Sequence, residues 1–360
     1  MDQAVEVRKG EALDTARVEA FLHDVVPGLE GGVTVRQFPS GASNLTYLIT
    51  VGERELVLRR PPFGTKPKSG HDMHREYTVL KALGPAYPYC PRPLAYNDDP
   101  EVMGCSFYVM EPIPGIILRR EIPASLGLSS SDVTLLNQNL VKALYALHCV
   151  DYESIGLEHF GKPEGYVERQ VTGWSRRYRA ARTPDVPDAE EVMTWLVEKM
   201  PPDTDAPCII HNDYKFDNVV LDPNNPLAII GVLDWEMTTL GDPLMDLGGS
   251  LAYWVEADDP EEMQLIRTVP TTASGSMTRR QLVDYYEQLS GRSMALYDFY
   301  YCFGLFKLAG IAQQIYKRYV LGQTSDERFA MIGMAVAVLG AQAEQVIEGW
   351  DSERAAGSNA

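Results

Sequence analysis

The order of apolar and polar positions divides the chain into a β-rich beginning and a helical remainder. Apolar residues recur with helical spacing over 13–26 and stop at Pro27-Gly28. They alternate with a period of two over 33–38 and 45–51, on either side of a Ser-Gly-Ala-Ser-Asn loop at 40–44. A third strand is expected at 55–59, then a helix at 71–83 with Val79, Leu80 and Leu83 on one face, then a strand at 106–110. Glu111-Pro112-Ile113-Pro114-Gly115 interrupts regular structure, because two prolines remove backbone donors. We place a domain division there, between 1–112 and 113–350. Helical periodicity then dominates: 131–150 (Leu136, Leu140, Leu144, Leu147), 164–182, 279–289, 295–319 and 326–348. One hairpin is embedded at 219–221 and 228–233, around Asp222-Pro223-Asn224-Asn225-Pro226. The small, polar tail 351–360 is expected to be disordered. The pattern predicts an α+β fold with a small antiparallel β-rich lobe followed by a larger, mostly helical one.

Composition narrows the function. The 360 residues are 45% hydrophobic, enough for a sizeable core, and carry a formal net charge of −18. Residues 1–112 hold −3 of it and the remainder −15. So acidic a chain lacks the basic footprint of a nucleic-acid binder. The five cysteines are scattered without a C-x-x-C pair, which excludes a disulfide framework or zinc ribbon and fits a reducing, cytoplasmic setting. The first ten residues contain no apolar signal segment. The longest uncharged run, 329–343, is shorter than a membrane span and reads as a buried core helix. No nucleic-acid partner and no membrane are expected.

The most informative residues flank the hairpin: His211-Asn212-Asp213-Tyr214-Lys215-Phe216-Asp217-Asn218 before it and Asp234-Trp235-Glu236 at its end. Phosphoryl transfer needs a carboxylate to orient and deprotonate the attacking hydroxyl, and oxygen ligands to hold Mg²⁺ against phosphate. Magnesium takes few protein ligands. Asp213 suits the base, and Asn218 and Asp234 suit the metal. The plain alternative is that these are turn residues, since Asp and Asn favour hairpin ends.

Asp213 to Asn218 has the D-x-x-x-x-N spacing of a kinase catalytic loop, and Asp234-Trp235-Glu236 stands in the place of D-F-G. On these motifs the chain resembles the protein-kinase-like superfamily, in its aminoglycoside phosphotransferase and choline kinase branch. The resemblance implies a bilobal protein-kinase-like fold, ATP and Mg²⁺ as cofactors, and a catalytic role for Lys215 on the transferred phosphate. It places nucleotide on the first lobe. Ser43 and Asn44 lie in the strand-joining loop, Arg59 stands where protein kinases carry a lysine, and Glu76 is its ion-pair partner. The Glu111 carbonyl and Ile113 N–H would meet adenine. Asp242 is read as a helix cap with Pro243 at the first position, and Asp246 as a brace for the catalytic loop. No Walker A sequence occurs, which argues against a P-loop enzyme.

Three phrases, LRRPP at 58–62, HREYTVLKAL at 74–83 and FGKPEGYVERQVTGW at 160–174, resemble the kinase-like domains associated with acyl-CoA dehydrogenases. That branch implies phosphorylation of a small-molecule hydroxyl, on a hydroxyacyl-CoA or hydroxy acid. An aminoglycoside or choline-like acceptor is the alternative within the superfamily. A non-catalytic nucleotide-binding pseudokinase that regulates a partner is the alternative of another class. The presence of base, metal ligands and phosphate cations together weighs against the pseudokinase. On the helix at 164–182, Val167, Val171, Trp174 and Tyr178 form an apolar stripe, with Arg169, Arg176 and Arg179 opposite. Those arginines either hold the phosphates of coenzyme A or form a solvated face paired with carboxylates.

Overall fold

A computed structural model of the chain describes residues 4–39, 44–63, 71–323 and 327–357. It begins α1 (Thr15–Val25), β1 (Val33–Gln37), β2 (Leu45–Val51), β3 (Arg54–Arg60), α2 (Met73–Leu83), β4 (Pro93–Asn97), α3 (Pro100–Met103) and β5 (Phe107–Met110). Next come α4 (Ser130–His148), α5 (Tyr166–Ala181), α6 (Glu190–Glu198), β6 (Cys208–Ile210), β7 (Val219–Asp222), β8 (Asn225–Val232) and β9 (Thr239–Gly241). Five helices complete the described residues: α7 (Pro243–Leu251), α8 (Glu261–Ile266), α9 (Arg279–Ser290), α10 (Tyr297–Val320) and α11 (Ile332–Gly357).

The described chain forms two compact units. One comprises Met1–Ile117, Val150–Phe160 and Asp217–Thr238; the other comprises Leu118–Cys149, Gly161–Phe216 and Thr239–Ala360. The first contains an antiparallel sheet of order β1-β2-β3-β5-β4. Tyr47, Ile49, Leu56, Leu58, Phe107 and Val109 alternate onto one face and bury against Val18 and Leu22 of α1. By the same period of two, Arg59 falls on the opposite face, paired in register with Tyr108. Helix α2 packs on that side, started by Asp72, whose side chain accepts from the Arg75 N–H.

This division differs from a single cut after residue 112. The β7–β8 hairpin belongs to the first unit because the segment after β5 pairs with it. Ile116 and Leu221 exchange backbone hydrogen bonds of 2.9 and 2.8 Å, and the Val232 N–H donates to Tyr89 O at 2.7 Å. The expected disordered tail differs too: the backbone stays helical through Gly357, and residues 358–360 lie outside the described part.

The second unit is mostly helical, with one short β6–β9 pair. Its longest helices are α10 and α11. The uncharged run is shorter than a membrane span, but the helical stretch Phe329–Ser352 that contains it is long and apolar enough to cross one by length and composition, and 28% of its apolar window is buried. Val336, Leu339, Ala343, Ile347 and Trp350 make one buried stripe, and α11 packs against α10. The expected buried core helix is buried along a single face. Helices α7 and α10 touch at their backbones: a methyl on Gly304 would lie 2.2 Å from the Gly248 carbonyl oxygen, and one on Gly248 2.2 Å from that of Tyr300. Neither oxygen can yield without moving a helix. Gly304→Ala is expected to cost about 3 kcal/mol, at the upper end for overpacking, read as a lowered urea midpoint. An unchanged midpoint would show that the helices can separate cheaply.

Candidate active site

In the second unit, strand β6 delivers His211, Asn212 and Asp213 to the start of α7. Asp242 caps that helix, accepting from the Leu244 N–H at 2.8 Å, with Pro243 at the first position. One turn on, the buried Asp246 carboxylate accepts the backbone N–H groups of His211 and Asn212, each at 2.7 Å, and faces His148 Nε2 at 3.2 Å. Burial pushes Asp246 upward, but the bonds from His148 and the charges and amides around it hold its pKa below the ordinary value. It thus stays an anionic clamp on the segment, as its motif suggests. The clamp holds Asn212 at φ 67°, in the left-handed region where asparagine is among the tolerated residues.

Asp213 follows. Its Oδ2 accepts from Lys215 Nζ and its Oδ1 from the Tyr253 hydroxyl at 3.1 Å, while the Lys215 ammonium lies 4.7 Å from the Tyr253 ring centre. Both charged side chains are mostly buried, at 19% and 13% exposure. Lys307 on α10, itself buried, donates from Nζ to the Asn212 carbonyl at 2.9 Å. Burial pulls its pKa down, with Asp213 and Asp246 opposing.

In the first unit, Arg59 joins three carboxylates: Glu76 at 3.4 Å, Asp234 at 3.0 Å and Glu236 at 3.5 Å. Burial works against the guanidinium, yet Glu76, Tyr108, Asp234 and Glu236 hold its pKa well above the ordinary value. Burial pushes Glu76 up, with Arg59 pulling the other way. The hairpin sets Asn218 beside Asp234. Val219 pairs with Val232, and the Leu233 N–H donates to Asn218 O at 2.8 Å, so both side chains start from the same end. Asp234 has φ 69°, which carries the chain out of the strand into a 3₁₀ turn, Trp235–Met237. One carboxylate and one amide are hard oxygen donors that fit Mg²⁺, whose shell phosphate and water complete. Among the described residues no group of three or more His, Cys, Asp or Glu could hold a metal.

Other expected residues take varied places. Ser43 lies outside the described residues. Asn44 is buried, donating to Glu236 at 2.6 Å and meeting His71 Nδ1 at 2.9 Å, so its side chain ties the start of β2 to the Asp234 turn. Glu111 pairs with Arg92 and Arg54, its N–H bonded to Arg92 O. Ile113 packs on Gly231, where a methyl would stand 2.7 Å from its Cδ1. The arginine face does not form a common cluster. Arg169 donates to the carbonyls of Lys162 and Glu164, Arg179 forms a bidentate pair with Glu190, and Arg176 is exposed. Sequence reasoning missed Tyr253 and Lys307, and it named Glu236 in its motif without foreseeing its contacts to Arg59 and Asn44. Of the two missed, only Lys307 carries a signal, as a lone charge in the apolar run CFGLFKLAGIA.

A model of the phosphotransferase enzyme family matches residues 34–269. The chain is 34% identical over 339 residues to acyl-CoA dehydrogenase family member 11 of Rattus norvegicus, covering 90% of this chain and 42% of that protein. It spans less than half the length of the curated relatives it matches. A Ralstonia eutropha protein assigned to the aminoglycoside phosphotransferases shares 31% identity and a TM-score of 0.79, over 94% of this chain and 99% of that one. Choline kinase from Cryptosporidium parvum has the same fold: TM-score 0.63, 12% identity, 94% and 97% covered.

Proposed function

The chain belongs to the phosphotransferase enzyme family, and from that membership we propose that it transfers the γ-phosphoryl group of ATP to the hydroxyl of a hydroxyacyl-CoA or hydroxy acid. The observation that carries the reading is the meeting of Asn218 and Asp234 at one hairpin end, five residues after Asp213 in the chain. In this mechanism Asp213 takes the acceptor's proton as its oxygen attacks the γ-phosphorus, and the bond to the ADP oxygen breaks. Tyr253 and Lys215 hold the Asp213 carboxylate in place, and Lys215 neutralises charge on the transferred group. Arg59, fixed by Glu76, does the same for the nucleotide phosphates. Asn44 would lie beside those phosphates, and the Glu111 carbonyl and Ile113 N–H would flank the base. Asn218 and Asp234 would hold Mg²⁺, which supplies charge neutralisation when bound.

One observation favours an acidic acceptor over an aminoglycoside or choline: the curated relatives bear the acyl-CoA dehydrogenase name. The test measures ADP formation with hydroxyacyl-CoAs of differing hydroxyl position, free hydroxy acids, aminoglycosides and choline. A thioester should lead choline and aminoglycosides by at least about 10²-fold in kcat/KM, with a phosphorylated product seen by mass spectrometry. Preference for an aminoglycoside or choline would reverse the acceptor assignment, and no transfer to any acceptor would favour a pseudokinase.

A further inference from the structure

We infer that Lys307 is a positioning residue, which holds the Asn212–Asp213 peptide in the geometry the base requires. The catalytic consequence rests on Asp213 being that base; the structural consequence does not. Lys307 lies one helical turn beyond Gly304, where α10 meets the backbone of α7, so its reach is set by backbone contact rather than by a flexible surface. Its side chain is 7% exposed. Its ammonium donates to the Asn212 carbonyl at 2.9 Å and lies 3.4 Å from Asn212 Oδ1. That carbonyl belongs to the peptide joining Asn212 to Asp213, so the bond fixes the plane from which the Asp213 side chain departs.

Asn212 is gripped from three helices. Asp246 of α7 accepts its N–H at 2.7 Å, Tyr166 of α5 donates to its Oδ1 at 3.2 Å, and Lys307 of α10 takes its carbonyl. Such over-determination is what a residue at φ 67° needs to persist. A methionine would fill the same space in this apolar helix without the cost of burying an ammonium. Packing therefore does not account for a lysine here; a long-reaching donor to one chosen carbonyl does. The charges acting on it are Asp213 and Asp246, which favour it, and Lys215 and Arg177, which oppose it.

The test compares the wild-type chain with Lys307→Met by amide hydrogen exchange over 211–215 and by steady-state transfer from Mg·ATP to 3-hydroxybutyryl-CoA. Exchange at the Asn212 and Asp213 amides is expected to quicken at least tenfold. The kcat should fall at least tenfold, with KM for ATP within about twofold and a melting temperature unchanged or higher. Lys307→Arg, which keeps a donor, should recover part of the kcat. If Lys307→Met does not accumulate folded, Lys307→Gln is read by the same measurements, with the same changes at smaller size. Unchanged exchange at 212–213 in a folded variant would overturn the inference, as would a lowered melting temperature with wild-type exchange and kcat. Should the wild-type chain transfer nothing to this thioester, the acceptor reading fails, while exchange still decides the role of Lys307.

Discussion

Asp213→Asn is expected to lower kcat by about 10²-fold or more while Mg·ATP affinity stays within about twofold. An amide keeps the shape of the side chain and can still accept the Tyr253 hydroxyl, which reaches Asp213 at 3.1 Å. What it loses is the capacity to take a proton, an effect confined to the transition state and worth about 10²–10⁴ in rate. Nucleotide affinity is expected to survive because the groups assigned to phosphate, Arg59 with Glu76 and Asp234, lie in the other unit of the fold. The measurement is a kcat from initial rates beside a nucleotide Kd from calorimetry. A kcat within about threefold of wild type would remove Asp213 from the role of base. A fall in affinity as large as the fall in rate would recast it as a binding residue.

The segment around Asp213 was legible because its chemistry is local. The D-x-x-x-x-N spacing is a property of one short turn, and the hairpin announces itself by alternation and a Pro-Asn turn. Asp242 and Asp246 were legible for the same reason: a cap and a residue one turn later need only the helix they sit on. What the sequence hid was set by packing between distant segments. Tyr253 reaches Asp213 across 40 positions, and Lys307 reaches Asn212 across 95. No period or motif links such pairs. The hairpin's place in the first unit depended on Ile116 pairing with Leu221, a long-range bridge in a segment that proline and glycine marked only as irregular. Arg169, Arg176 and Arg179 share an exposed side of α5, but the partners of Arg169 and Arg179 are not legible in the helix's own sequence, because Glu190 and the carbonyls of Lys162 and Glu164 lie outside it.

Asp234→Ala should separate metal-dependent from metal-independent nucleotide binding. With Mg²⁺ present, ATP affinity is expected to fall at least about 10²-fold and turnover with it, because one of two protein oxygen donors, and the charged one, is gone. With EDTA, affinity should change by less than about threefold, since Arg59 remains anchored by Glu76 at 3.4 Å and Glu236 at 3.5 Å. Two side effects need separating from this. Removing Asp234 relieves Arg59 of a partner at 3.0 Å, which frees the guanidinium for phosphate and works in the opposite direction. Alanine at φ 69° also strains the turn by about 1–2 kcal/mol, a cost that asparagine largely avoids. Asp234→Asn is therefore the matched control: it keeps the backbone and loses the charge. Both variants should show the same Mg²⁺-selective loss, and only the alanine variant should melt lower. Equal losses with and without Mg²⁺ would assign Asp234 to holding Arg59 rather than to a metal.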